Sequence, residues 1–404
     1  MSTSLLYHGF GIVGYQYGSQ QFHGGQVICR IEQARDRLRC PQCGCDDVWI
    51  RGHQERTFRS LPIGLKPPVV TLDVARVWCP VCDGVLQVQI GFADPTKRST
   101  RSFERYALQL SRHLTIKDVA EHLQVSWDTS KDIQASNRQR RFGRPKLHKL
   151  QQIAIDESAV GKGHRYLTVV LNLLSGAVVF VGDGKGVEAL EPFWKRLRRA
   201  RAKIQAVATA RSSAYIRAVR DNLPKAVPVC DHFHVIQLFN DKLSACRREL
   251  HHQASSQEER QILKGTRGLL RKNPENLDED GQERQRLEEA LGLNKPLALA
   301  YELKEDLRQI WSQRHKDTAR RVLRDWLARA RAADIRMLVQ FAATVEEHQE
   351  GILNYDDDRI STAPLEGTNN KIQLLKRPAY GFRDQAFFKL KILGLHETKH
   401  ALVG

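Results

Sequence analysis

Apolar and polar positions follow two different rhythms along this chain. At 152–158 a short apolar run, Ile153-Ala-Ile155, stops abruptly at Asp156 and Glu157. A buried strand ending at the rim of a sheet reads this way. Apolar runs at 166–174 and 177–181, separated by Ser175-Gly176, predict two further strands, so the three form an antiparallel meander. The rhythm then becomes helical at 187–197, strand-like at 204–209, helical at 215–223 and strand-like at 226–230, ending at Asp231. A carboxylate such as Asp156 at a strand end is well placed to hold a divalent cation, although the same pattern also fits a capped strand in an ordinary α/β domain.

Residues 236–350 keep a helical period in six stretches, 236–250, 257–271, 277–291, 296–311, 317–332 and 334–350, and read as an all-helical insertion. Strand character does not return. Pro364 followed by Glu366 opens a last helix. Asn370, Lys371, Leu374 and Lys376 can share its groove-facing side, and Arg377 follows. A carboxylate among cations suits a phosphodiester site, where the acid binds metal and the cations hold the backbone.

Before the meander, residues 1–39 show short strands and Gly-rich turns. Cys40-Pro-Gln-Cys43 and Cys79-Pro-Val-Cys82 flank a hairpin pattern at 56–62 and 69–77. Two such knuckles place four thiolates around one tetrahedral ion, so the segment reads as a zinc ribbon with a structural Zn²⁺. Paired disulfides are the alternative, which a reducing compartment disfavours. Cys45 lies close enough to confuse the ligand count; Cys29, Cys230 and Cys246 read as core or incidental thiols.

Residues 103–113 and 115–123 have helical period, the second opening on a capping Thr115. A short turn at Gln124-Val125 leads to a third helix from Ser126 or Trp127 into the basic run Arg138-Gln-Arg-Arg141. This is a helix-turn-helix pattern. Trp127, Thr129, Ser130, Lys131 and Arg138 are its candidates for base or phosphate contact; a plain helical connector is the bland alternative.

Composition sharpens this picture. A formal net charge of +18 over 404 residues points to a polyanionic partner, nucleic acid first among them, although ribosome association or non-specific stickiness would give the same number; the basic flanks of the helix-turn-helix and the zinc ribbon favour double-stranded DNA. No apolar run approaches the roughly 18 residues of a membrane helix, and the first residues lack a signal-peptide pattern, so a cytoplasmic, nucleoid-associated protein without membrane contact is expected.

The strand and helix order from 152 to 231 resembles the ribonuclease H fold, which gathers carboxylates at the ends of its first and fourth strands. The whole chain resembles bacterial insertion-sequence transposases of the ISL-three group with a DDE core. The resemblance rests on both Cys-x-x-Cys pairs, Ile155-Asp-Glu157, Gly161-Lys-Gly-His-Arg-Tyr166, Asp231-His-Phe-His-Val235, Leu365-Glu-Gly-Thr-Asn-Asn-Lys-Ile372 and Lys376-Arg-Pro-Ala-Tyr-Gly-Phe-Arg383. It implies three acids holding two Mg²⁺ (or Mn²⁺) ions. Asp156 matches the first and Glu366 the third. The second should precede Ser-x-Ala-Tyr, where this chain has Ala210. Three readings compete: an engineered substitution, a natural relative that binds DNA without cutting it, or a substitute acid in Asp231. The first is preferred because every other motif is intact.

The resemblance implies recognition of terminal inverted repeats, strand cleavage, transfer to target DNA and action as a homo-oligomer, in the simplest case a dimer. The alternatives are a non-catalytic, zinc-dependent DNA-binding regulator and, more weakly, a structure-specific nuclease. The fold class expected is multidomain α+β. A zinc-ribbon domain spans 1–98 and a helix-turn-helix with linker 99–147. A ribonuclease H-like core at 148–236 and 351–404 is interrupted by helices at 237–350.

Overall fold

The structure, a computed structural model of the 404-residue chain, describes residues 4–161, 165–209, 213–278 and 281–402. Ala210 lies outside the described residues, as do 162–164 of the motif before the second predicted strand. The chain divides into two compact units, Met1–Arg140 and Arg141–Gly404.

In the first unit a short helix α1 (Leu5–Phe10) precedes an antiparallel hairpin of β1 (Tyr15–His23) and β2 (Gln26–Gln33). Its turn is Gly24-Gly25, both at positive φ, the backbone a two-residue hairpin turn demands. The predicted ribbon hairpin is β3 (Trp49–Arg59) against β4 (Pro68–Cys79). Strand β2 runs parallel to the other side of β4, and β5 (Gly84–Gln87) pairs with the end of β4. β4 is therefore central and buries Val70, Leu72, Val74 and Val77 against Phe58 and Ile31. Helices α2 (Arg101–Leu110), α3 (Ile116–Leu123) and α4 (Trp127–Phe142) follow, packed through Phe103, Ala107, Val119, Leu123 and Ile133. Arg59 Nη2 donates to Leu123 O at 2.7 Å, satisfying a carbonyl at the end of α3 and tying it to the sheet.

The second unit is built on strands β6 (Gln152–Gly161), β7 (Arg165–Asn172), β8 (Val178–Asp183), β9 (Ala206–Thr209) and β10 (Val227–Cys230), in the order β10-β9-β6-β7-β8. The β6-β7-β8 meander is antiparallel, whereas β9 and β10 run parallel to β6. Helix α5 (Glu191–Ala200) connects β8 to β9, and α6 (Ser213–Asn222) connects β9 to β10. Strand pleating sends alternate residues to opposite faces. Ile153, Ile155, Val170 and Val207 meet Phe193, Leu197 and Val219 on one face. Ala154, Val169 and Ala208 meet Leu365, Ile372, Phe388 and Ile392 on the other.

After β10 the described residues to 353 hold no strand. They form α7 (His232–Gln253), α8 (Gln257–Gly265), α9 (Arg267–Arg271), α10 (Glu283–Leu293), α11 (Lys295–Arg308), α12 (Lys316–Ala332), α13 (Arg336–Glu347) and α14 (Gln349–Leu353). Phe239, Trp326 and Phe341 meet edge to face at the centre of this cluster. The period expected over 257–271 breaks at Thr266, whose Oγ1 donates to Leu263 O and competes with the backbone ladder. Helix α14 returns so close to β10 that a Cβ on Gly351 would lie 2.6 Å from Cys230 Sγ. Helices α15 (Ala363–Lys376) and α16 (Gln385–Leu393) then complete the second face of the sheet.

Candidate functional site

Two tight turns carry the cysteine pairs. Cys40 O accepts the Gly44 N–H, with Gly44 at φ 79°, and the second pair sits at the end of β4. Sγ of Cys40 lies 3.8 Å from that of Cys82, Cys43 lies 3.5 Å from Cys79, and all four sulfurs fall within 4.8 Å of one another. A tetrahedral zinc with bonds of about 2.3 Å sets its sulfurs about 3.8 Å apart, so this donor set fits zinc. The backbone N–H of Cys43 draws the Cys40 thiol down to about 6, whereas hydrogen bonding to Cys43 and burial push Cys82 up to about 12. Four thiols this close cannot all ionise without a cation. Cys45 is outside the cluster and turns to Asp47 O.

In the helix-turn-helix, Thr115 and Asp118 form a reciprocal capping box on α3. Gln124 at φ 51° ends that helix, and Ser126 Oγ accepts the Thr129 N–H to start α4. Trp127 is 47% exposed with Lys131 Nζ 5.3 Å above its ring, and Thr129 is also exposed. Arg138 is half-buried. Ser130 corrects the expectation made for it: it is 1% exposed. It shares the inward stripe of α4 with Ile133 and Gln134, because residues three and four apart fall on one helical face.

The acidic site forms where β6 meets α15. Asp156 follows Ala154 on the pleat and faces that helix. Its Oδ1 accepts the Glu157 N–H at 2.8 Å, and its Oδ2 accepts Asn369 Nδ2 at 3.0 Å. The same amide reaches Glu157 O at 3.3 Å. One turn further, Gln373 Nε2 donates to Ala159 O at 2.7 Å, and Lys376 Nζ donates to Gln373 Oε1 at 2.9 Å. A polar stripe of α15 is thus zipped along β6. Glu366, exposed in the first turn of α15, lies within electrostatic reach of Asp156. Burial chiefly, with repulsion from Glu157 and Glu366, pushes the Asp156 carboxyl up to about 6. The Glu157 N–H and His234 pull the other way.

Asp231 has other partners. It is 1% exposed and caps α7 by accepting the Phe233 N–H at 2.9 Å. Its other oxygen accepts both the N–H and the hydroxyl of Thr362, at 2.7 and 2.5 Å. Thr362 in turn accepts the N–H groups of Leu365 and Glu366 through its carbonyl. Asp231 therefore clamps the start of the helix that carries Glu366, and both its oxygens are committed.

Sequence reasoning put Asn370 and Lys371 on the groove side of α15. Both are exposed, as is Arg377, while Lys376 is half-buried against Gln373. The residue that touches Asp156 is Asn369, one position earlier, which pattern alone did not single out. His234 was also passed over as a site residue. Its ring nitrogens have no hydrogen-bond partner among the described residues, and it shares a cavity of about 60 Å³ with Thr209, Cys230 and Asp231. Thr209, the last described residue before position 210, is 2% exposed, and its hydroxyl has no partner among the described residues. Tyr215 is buried within electrostatic reach of Glu157 and Asp156; its hydroxyl bonds Thr168 Oγ1 at 2.9 Å, and burial pushes it up to about 12.

Residues 153–392 match a family described as transposase, and residues 88–133 match the helix-turn-helix domain of transposase family ISL3. The chain belongs to the ISL3 group of insertion-sequence transposases. It is 31% identical over 356 residues to the transposase for insertion sequence element IS1001 of Bordetella parapertussis, covering 87% of each chain. It is 30% identical over 410 residues to the transposase for IS1557 of Mycobacterium tuberculosis, covering 94% of this transposase and 91% of that relative. A Drosophila P element transposase strand transfer complex is a more distant structural likeness, covering 74% of this chain and 92% of that one at 12% identity and a TM-score of 0.37. Among the described residues no helix is long and apolar enough to cross a membrane.

Proposed function

We propose that this transposase binds the terminal inverted repeats of its element through α3 and α4. We further propose that its cutting centre is Asp156 and Glu366 on a ribonuclease H-like sheet interrupted by the helical segment after β10. The observation that carries this reading is the Asn369–Asp156 bond, which seats the Glu366 helix against the strand bearing the first acid. Two acids from opposite ends of a 240-residue family match then share one electrostatic neighbourhood.

The donor set bears on the metal. A hard divalent cation such as Mg²⁺ or Mn²⁺ takes oxygen ligands and is held by one or two carboxylates plus substrate phosphates, which suits Asp156 and Glu366. Such a cation would stabilise the charge that develops on the phosphodiester oxygens. Position 210 offers no side-chain ligand atom, because the alanine side chain is a methyl group. Asp231 is an unsuitable replacement, since releasing its carboxylate would strand the Thr362 N–H and unseat the Glu366 helix. The residues present thus fit one ion and fall short of a pair, and no strand-transfer step is assigned to this chain. Its Cys₄ cluster holds zinc for folding, and it acts on DNA as a homo-oligomer, a dimer in the simplest arrangement, in the cytoplasm at the nucleoid.

The second reading, a DNA-binding regulator derived from a transposase, is favoured by Ala210 alone. The discriminating experiment is divalent-cation-dependent nicking of labelled element-end duplex by this chain and by Ala210→Asp. Nicking by the Asp form only supports a disabled transposase. Tight binding with no nicking by either form replaces that reading with the regulator.

A further inference from the structure

The helical segment of the second unit contains a cleft that the acidic site does not use. It has a volume of about 270 Å³ and is lined by Asp241, Ser244, Arg247, Arg248, Arg267 and Arg271. Four guanidiniums thus face one carboxylate. Two come from α7, and two come from α9 at positions i and i+4 on one side of that helix.

The charges are poorly neutralised from within. Among the described residues Asp241 pairs with Arg271 alone, at 3.6 Å, in a solvent-exposed pair of the kind that contributes little. Ser244 turns its hydroxyl back to Asn240 O at 2.8 Å. Arg247 is 8% exposed; its Nη1 donates to Leu263 O at 2.7 Å, while its buried Nε has no partner among the described residues. Burial, and then the positive fields of Arg267 and Arg248, lower its affinity for a proton. Like charges gathered around a buried, under-satisfied guanidinium are unfavourable unless an anion joins them. Arginine forks match the oxygens of a phosphate, which can accept bidentate bonds from several of them at once.

We propose that this cleft is a phosphate-binding site and that its occupant is a backbone phosphate of the DNA the transposase handles. The choice of DNA rests on the transposase reading above; the phosphate chemistry does not.

The test uses the full chain and an Arg248→Ala/Arg267→Ala double variant, both positions being exposed. Duplex affinity is measured across a salt series, on element-end and scrambled duplexes. Each lost phosphate contact should lower the slope of log K against log salt by about 0.9, equally on both duplexes. In parallel, inorganic phosphate is titrated while melting is followed. An unchanged slope, with phosphate raising the melting temperature of the parent chain but not of the variant, makes the occupant a free anion and overturns the DNA assignment. If neither the slope nor the phosphate response differs, the cleft is not a phosphate site. If the parent chain binds no duplex, the DNA assignment falls with the DNA-binding reading, and the melting arm still decides the cleft.

Discussion

Asn369 Nδ2 donates to Asp156 Oδ2 at 3.0 Å, joining residues 213 positions apart. The bond supports a carboxylate that burial disfavours and orients α15 on β6 at the same time. Replacing Asn369 with Ala should destabilise the unit 141–404 by about 1.5–3 kcal/mol, the usual range for a hydrogen bond to a charged group. Urea unfolding would read this directly; a variant as stable as the parent would mean that the bond carries no weight.

The raised Asp156 carboxyl makes stability pH-dependent. Its folded value of about 6 exceeds the ordinary 3.8, so between these the native state binds more protons than the unfolded state. Stability therefore falls as pH rises through that window and levels off above it. Asp156→Asn removes the buried charge. In buffer free of divalent cations it should stabilise the protein at pH 8 by on the order of 1–3 kcal/mol, and not at pH 4. An equal gain at both pH values would refute the assignment.

Asp231 is expected to act through Glu366. Asp231→Ala leaves the N–H and hydroxyl of buried Thr362 without an acceptor, so a loss of about 2–5 kcal/mol is predicted. Asp231→Asn keeps one acceptor oxygen and should recover part of this. In the Ala210→Asp background, the Asn variant should nick at a reduced rate with an unchanged affinity for duplex. Full activity in that variant would end the positioning role.

Zinc content should be one equivalent per chain, read by elemental analysis. Cys79→Ser or a strong chelator should remove it and unfold the unit 1–140, because binding energy at a structural site is folding energy. Cys45→Ser should retain the metal, and loss of zinc there would return Cys45 to the ligand set.

The two faces of α4 should respond differently. Lys131→Ala should weaken duplex binding and lower its salt slope by about 0.9. Ser130→Ala should leave DNA affinity untouched. It should be neutral or stabilising by up to about 1 kcal/mol, since the buried hydroxyl has no partner among the described residues. A Ser130 variant that loses DNA would put that face on the groove.

What the amino-acid order determined by itself was everything set by local periodicity and spacing. The β6-β7-β8 meander, the helical period after β10 (though not its break at Thr266), the Thr115 cap and the paired cysteine turns could be read in advance. Each depends on residues a few positions apart, where pleat, helical turn and knuckle geometry leave few options. The rotation of each helix about its axis was decided only by tertiary packing. Burying Leu365, Thr368 and Ile372 turned Asn369 rather than Asn370 toward Asp156, and burying Ile133 carried Ser130 inward with it. The Asp231–Thr362 clamp and the arginine cleft between α7 and α9 likewise join separate elements. Sequence spacing cannot specify such meetings, because they depend on how distant apolar faces choose to bury one another.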